Sequence, residues 1–192
     1  MNSSYVVGID VGGQTSKIGV VDARGTVLAQ TVIRTDTYDT VDPYIAELAA
    51  AVKKVIAEAG VEGKVRGIGV GAPNGNYYTG TIENAPNLVW GRQRVEFAKL
   101  LSEAMGGLPV ALTNDANAAA VGEMTYGAAR GMKNFIMITL GTGVGSGIVV
   151  NGEVVYGHDG FAGELGHTIA VRGNGRTCGC GRSGCLEAYC SA

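Results

Sequence analysis

The sequence predicts an α/β fold of mixed sheets with flanking helices, arranged as two lobes. Three observations carry this. Strand-like and helix-like segments alternate along the chain. A strand–glycine turn–strand unit occurs near the start and again after about Ala128. Hydrophobic residues make up 46% of the 192 positions, enough for a substantial core.

Tyr5–Ile9 is a short apolar, partly β-branched run ending in Asp10. A glycine turn follows, then strands over Lys17–Val21 and Thr26–Arg34, separated by the turn Asp22–Gly25. Asp42-Pro43 marks an N-cap and first turn. Ile45, Leu48, Ala49, Val52, Val55, Ile56 and Ala59 then recur at helical spacing, and Gly60 ends the helix. A strand over Val65–Val70, a helix over Val95–Met105, a strand over Val110–Leu112 and a helix over Ala116–Tyr126, capped by Asp115, complete the first pattern. The polar loop Glu83–Asn87 follows a strand-like Thr79–Ile82. The pattern then restarts: a strand over Phe135–Leu140, a glycine-rich turn over Gly141–Gly147, a strand over Ile148–Val150 and a hairpin turn at Asn151-Gly152. Leu186–Ala192 reads as a helix start with Cys190 packed in its core. The expected domains are residues 1–120 and 121–192.

Composition narrows the function. Net charge is −2 and basic residues are scattered, so nucleic acid is not an expected partner. No apolar run approaches a membrane span, and Met1–Ser4 lacks the basic start of a signal peptide, so a cytoplasmic location is expected. All four cysteines, Cys178, Cys180, Cys185 and Cys190, fall in the last 15 residues, a distribution that suits a metal site in a reducing compartment rather than a disulfide framework.

Four motifs carry chemistry. Asp10-Val11-Gly12-Gly13-Gln14-Thr15 joins two strands; its amides can form an anion nest, and Asp10 can hold Mg²⁺ directly or through water. An ordinary glycine-rich hairpin would look the same. Gly141-Thr142-Gly143 opens a second such turn; it precedes a strand, which argues against a dinucleotide fingerprint. The paired occurrence favours phosphate binding at both. No GxxxxGK[ST] is present, which excludes a P-loop. In Thr113-Asn114-Asp115-Ala116-Asn117, Asp115 can accept a substrate proton with the helix dipole favouring its ionised form, or it can simply cap the helix. Gly163-Glu164-Leu165-Gly166-His167 precedes Cys178-Gly179-Cys180 and Cys185-Leu186-Glu187. Three cysteines within eight residues match metal-ligand density, with His167 or Cys190 as a fourth ligand. His158 reads as an exposed loop residue and Trp90 as a core or lid aromatic.

Together these motifs, with Gly69-Val70-Gly71-Ala72-Pro73 and Glu83-Asn84-Ala85-Pro86-Asn87-Leu88, run in an order that resembles the ROK family of sugar kinases and repressors, within the actin-like ATPase (ribonuclease H-like) fold. The resemblance implies ATP-dependent phosphorylation of a hexose 6-hydroxyl, glucose foremost. Asp115 would be the general base. Asn114, Glu164, His167 and Glu187 would bind sugar hydroxyls, joined by Asn87 and Gly75. Asp10, Gly12, Gly13, Gln14, Thr15, Gly141, Thr142 and Gly143 would surround Mg²⁺ and the ATP phosphates. His167, Cys178, Cys180 and Cys185 would hold a structural Zn²⁺. It also implies a homodimer, and a second lobe incomplete at Ala192. Two positions depart from the family pattern: Gln14 stands where threonine is usual, and Asn74 where glycine is usual. A sugar-responsive repressor and a non-catalytic sugar-binding fragment are the competing readings. The repressor needs a helix-turn-helix before the first strand, where only four residues precede Tyr5.

Overall fold

The computed structural model describes residues 4–192 and divides into two units, Met1–Asp115 and Ala116–Ala192.

The first unit is a five-stranded mixed sheet in the order β3-β2-β1-β4-β7. Strands β1 (Tyr5–Val11), β2 (Thr15–Asp22) and β3 (Val27–Arg34) form an antiparallel meander. Strand β4 (Val65–Ala72) runs parallel to β1, and β7 (Val110–Asn114) runs parallel to β4. The period-two pattern explains the buried face. Val7, Ile9 and Val11 of β1 and Ser16, Ile18 and Val20 of β2 are buried, and their neighbours point the other way. Helix α1 (Val41–Glu58) covers β2 and β3 with Tyr44, Leu48, Val52 and Val55, all fully buried. Helix α2 (Phe97–Ala104) packs against α1 and β7 through Phe97 and Leu101. A small hairpin of β5 (Gly75–Asn76) and β6 (Thr81–Ile82) leaves the end of β4.

One buried polar cluster is satisfied internally. The Ser16 hydroxyl lies 2.7 Å from the Tyr44 hydroxyl and 2.8 Å from that of Thr35. Burial pushes the Tyr44 phenol up to about 12, so it stays neutral and can donate. The Tyr44 ring stacks on Trp90 at 4.7 Å, and Trp90 stacks on Phe97 at 5.8 Å. Trp90 is therefore a core residue.

In the second unit, β8 (Phe135–Leu140), β9 (Val144–Val150) and β10 (Glu153–Val154) form an antiparallel sheet in the order β10-β9-β8. Helix α3 (Asp115–Tyr126) lays Ala116 and Ala120 against β9. A Cβ on Gly147 would sit 2.6 Å from that of Ala120, so only glycine permits this approach. Residues 155–186 are largely irregular, and α4 (Glu187–Cys190) is a single turn. Asn151 and Gly152 have φ of 55° and 84°, the left-handed pair that a tight hairpin between β9 and β10 requires.

Several expected details differ. Gly145–Gly147 lie inside β9, because they pair with Met137–Thr139 of β8, and the helix above explains why glycines stand at 145 and 147. Thr40 precedes the first residue of α1, so Asp42 lies in the first turn rather than at the cap. Asp115 is the first helical residue of α3. Val95 is extended, exchanging backbone hydrogen bonds of 2.9 and 3.0 Å with Ile82, so α2 starts at Phe97. Cys190 is exposed, because one helical turn makes no core of its own. No described helix is long and apolar enough to cross a membrane.

Replacing Tyr44 separates the two roles it plays. Tyr44→Phe keeps the ring and leaves Ser16 bonded to Thr35, so it should cost about 1 kcal/mol in urea unfolding. Tyr44→Ala empties the aromatic stack and should cost about 3–5 kcal/mol. Equal losses for the two variants would contradict this division.

Candidate functional site

In the first unit, three parallel strands end at one edge of the sheet. Asp10 of β1 lies in register with Gly71 of β4, Gly71 with Thr113 of β7, and Ala72 with Asn114. The loops leaving these ends carry the sequence-predicted residues, at the carboxyl edge where α/β sheets commonly take ligands. Asp10 is exposed there. The turn after it is closed by the Gly12 N–H donating to the Thr15 carbonyl at 3.0 Å, and the Gln14 carbonyl accepts from the Thr35 N–H at 2.9 Å. Gly13 lies against the Asn87 backbone, with a Cβ there only 2.9 Å from the Asn87 oxygen, so the structure brings Asn87 to the first glycine turn. Gly75 lies directly on the Thr113 carbonyl, where any side chain would collide with backbone. This brings it beside Asn114, while Asp115 is exposed at the start of α3.

Asn74 explains how its turn survives without glycine. It adopts φ of 52°, a conformation asparagine tolerates. Its side-chain amide donates to the carbonyls of Glu83 at 3.0 Å and Asn84 at 3.1 Å. Glu83 in turn accepts from Thr81 Oγ1 at 2.6 Å. These residues tie the loop that leads to Asn87, a positioning role that loop composition alone did not reveal.

In the second unit, the Gly141 N–H donates to the Gly143 carbonyl at 3.0 Å, closing the second glycine turn, and Thr142 at its tip is exposed. Ser146 of β9 donates to the Gly163 carbonyl and accepts from the Leu165 N–H at 3.0 Å, so it fixes the segment bearing the exposed Glu164. Sequence reasoning assigned Ser146 only to a glycine turn. A polar residue at a buried strand position was the available signal.

His167, Cys178, Cys180 and Cys185 converge, with one ligand atom from each within 4.8 Å of the others. His167 Nδ1 lies 3.7 Å from Cys178 Sγ, and Cys180 Sγ 3.7 Å from Cys185 Sγ. A tight knuckle holds them. The Cys178 N–H donates to the Arg182 carbonyl at 2.7 Å, the Gly181 N–H to the Cys178 carbonyl at 2.9 Å, and Ile169 bridges Cys185. The Arg182 guanidinium donates to the His167 carbonyl at 3.0 Å.

The thiols are unequal. A backbone hydrogen bond from Arg182, helped by its side chain, pulls Cys180 down to about 6. A backbone hydrogen bond from Cys180 also lowers Cys178, but burial and the side chains of Cys180, Glu187 and Cys185 outweigh it and push that thiol up to about 11. The neighbouring Cys178 and Cys180 thiols thus favour opposite protonation states. A bound dication would remove that conflict, and the closed S₃N donor set fits a soft or borderline metal in a structural role. Cys190 is not part of this cluster. His158 is exposed.

The ROK family model matches residues 6–192. The chain belongs to the ROK family. Among relatives of this ROK protein, a glucokinase of Halalkalibacterium halodurans is 41% identical over 194 residues, covering 100% of this chain and 58% of the glucokinase. A xylose repressor of Caldicellulosiruptor bescii is 31% identical over 188 residues, covering 97% of this chain and 46% of the repressor. A ROK glucokinase of Streptomyces griseus, solved in complex with glucose and AMPPNP, superimposes with a TM-score of 0.81 at 36% identity, covering 98% of this chain and 57% of that one. This ROK protein thus spans little more than half the length of the glucokinases it matches.

If the cluster of this ROK protein is a metal site, purified chain should carry about one equivalent of metal. Cys185→Ser should reduce that content at least tenfold by elemental analysis and lower Tm. Metal-free chain whose melting is unchanged by a chelator would exclude the site.

Proposed function

We propose that this ROK protein is a sugar kinase that transfers the γ-phosphoryl group of ATP to the 6-hydroxyl of a hexose, with glucose as the preferred acceptor, on an actin-like ATPase (ribonuclease H-like) fold. The observation that carries the reading is the Asn114-Asp115 step: an exposed carboxylate at the first residue of α3, directly after the strand end that Gly75 packs against. Identity of 41% to a glucokinase, against 31% to a repressor, supports the catalytic branch over the regulatory one.

On this reading Asp115 accepts the proton of the attacking hydroxyl as the new P–O bond forms. Asn114, Asn87, Glu164, His167 and Glu187 hydrogen-bond the remaining hydroxyls, and the backbone at Gly75, packed on Thr113, reaches the sugar as well. Discrimination follows because a polar group left unpaired by the wrong sugar costs more than a mismatched apolar contact. Asp10 would hold Mg²⁺, which supplies charge neutralisation on the phosphates. The amides of Gly13, Thr142 and Gly143, with the Gly12, Gly141, Gln14 and Thr15 positions shaping the turns, would receive the phosphate oxygens. Phosphoryl transfer depends mainly on such positioning and charge stabilisation. The metal of the cysteine cluster would be Zn²⁺. With its coordination closed by His167, Cys178, Cys180 and Cys185, it would act by holding the His167 ring and the Glu187 segment in place. A cytoplasmic homodimer completes the proposal.

Formation of glucose 6-phosphate from ATP·Mg²⁺, with a hexose panel alongside, tests the reading. Asp115→Asn should reduce turnover by about 10²–10⁴-fold while glucose affinity and Tm stay near wild type. Retained turnover in that variant would remove Asp115 as the base. Absence of both turnover and calorimetric hexose binding in the parent would overturn the kinase reading itself.

A further inference from the structure

Glu187 makes contacts that sugar binding does not account for. Its Oε2 accepts a hydrogen bond from the Val144 N–H at 3.0 Å, on the residue that follows the glycine turn 141–143. A Cβ built on Gly143 would lie 2.8 Å from the same oxygen, with no other atom nearer than the Glu187 carboxyl carbon at 3.6 Å. The other oxygen, Oε1, accepts from Cys178 Sγ at 3.4 Å. The backbone around Glu187 is anchored on both sides. The Leu186 N–H donates to the Thr168 carbonyl at 2.9 Å, and the Ala192 N–H donates to the Gly141 carbonyl at 2.8 Å. Metal ligation would take the Cys178 proton, so the tie from the cysteine cluster to the glycine turn runs through the chain itself, from Cys185 to Glu187 two residues on, whose half-buried carboxylate grips Val144.

We infer that Glu187 is a positioning residue for the glycine turn 141–143, holding the Val144 amide so that the turn's remaining amides face a nucleotide phosphate. A carboxylate accepting from a backbone N–H makes a charge-assisted bond, stronger than a neutral one. It fixes the plane of the peptide between Gly143 and Val144 and so aims the Gly143 carbonyl, which accepts from the Gly141 N–H at 3.0 Å and closes the turn that presents the Thr142 and Gly143 amides. A side chain on Gly143 would press on the Glu187 carboxylate and displace it. The metal cluster, by anchoring the segment that bears Glu187, acts on the turn at a distance. The nucleotide as ligand rests on the proposed kinase reading; the grip of Glu187 on Val144 does not.

Two measurements keep these apart. The first is amide hydrogen exchange at Val144, read by NMR in the zinc-loaded chain without nucleotide. Glu187→Ala should accelerate it about ten- to hundred-fold, the loss expected for a hydrogen bond to a charged group. Glu187→Gln, which keeps an acceptor oxygen, should stay within about threefold of the parent. Gly143→Ala, which leaves Glu187 intact but displaces its flexible carboxylate, should accelerate exchange as Glu187→Ala does. It supplies the answer should Glu187→Ala fail to fold, and equal metal content across the variants checks that the cluster is intact. The second measurement is the KM for MgATP. Glu187→Ala should raise it about tenfold, and Glu187→Gln should restore most of that loss. Unchanged Val144 exchange in both Glu187→Ala and Gly143→Ala would overturn the inference. So would a lower KM for MgATP in Glu187→Ala, since the carboxylate would then be an anion competing for the turn. If the parent neither turns over nor binds MgATP, the kinase reading falls, and Val144 exchange alone decides whether Glu187 holds the turn.

Discussion

The parallel pairing of β1, β4 and β7 is the constraint on which the first unit depends. Its ladders put Asp10, Gly71 and Thr113 side by side, so three separate loops leave the sheet at one edge. The register is enforced by burial as well as by hydrogen bonds. A slip of one residue would turn Val7, Ile9, Ile68 and Val70 out of the core and bring glycines inward. The same alternation explains why Asp10 can be exposed one residue from the buried Ile9 and Val11. The loops then interlock by close backbone contact, Gly13 on Asn87 and Gly75 on Thr113, with Asn74 tying the intervening chain.

The second unit meets a different problem. Residues 155–186 have almost no regular structure, and their glycines offer little apolar surface. Backbone polar groups there must be satisfied one by one, and few side chains are available to hold the path. Ser146 clamps one part from the adjacent strand, and the knuckle of Cys178–Cys185 gathers another. A cross-link by metal suits such a segment, because it replaces the core that the composition cannot build. The unequal thiols, one lowered and one raised, show the electrostatic conflict that a cation would relieve.

These two solutions serve one chemical need on the proposed reading. A phosphoryl transferase contributes little covalent chemistry and much positioning, so its effort goes into orienting amides, carboxylates and hydroxyl partners. Rigid strand ends provide this in the first unit. In the second, Ser146 and Glu187 provide it by hydrogen-bonding the backbone of the segments that carry the candidate ligands. ROK relatives include both glucokinases and repressors, so the family scaffold alone does not specify catalysis. On the proposed reading the distinction lies in individual side chains, Asp115 first among them.

Local pattern was enough to read the strands of the meander, helix α1, the Asn151-Gly152 hairpin, the repeat of a strand–turn–strand unit and the three cysteines of the candidate metal cluster. Each depends on a short-range signal: period two, helical spacing, a left-handed residue pair, or cysteine density. The start of α2 and the true extent of β9 were not legible. Val95 is extended because Ile82 pairs with it, and Gly145–Gly147 are strand because β8 pairs with them. The exposed Cys190 likewise followed from how short α4 turned out to be. The positioning residues Asn74, Ser146 and Glu187 act through backbone partners 9, 17 and 43 residues away in sequence. The amino-acid sequence by itself determined the family, the fold class and which side chains are available for chemistry. Only the tertiary structure decided what aims them, because a hydrogen bond to distant backbone leaves no periodic trace in the chain that makes it.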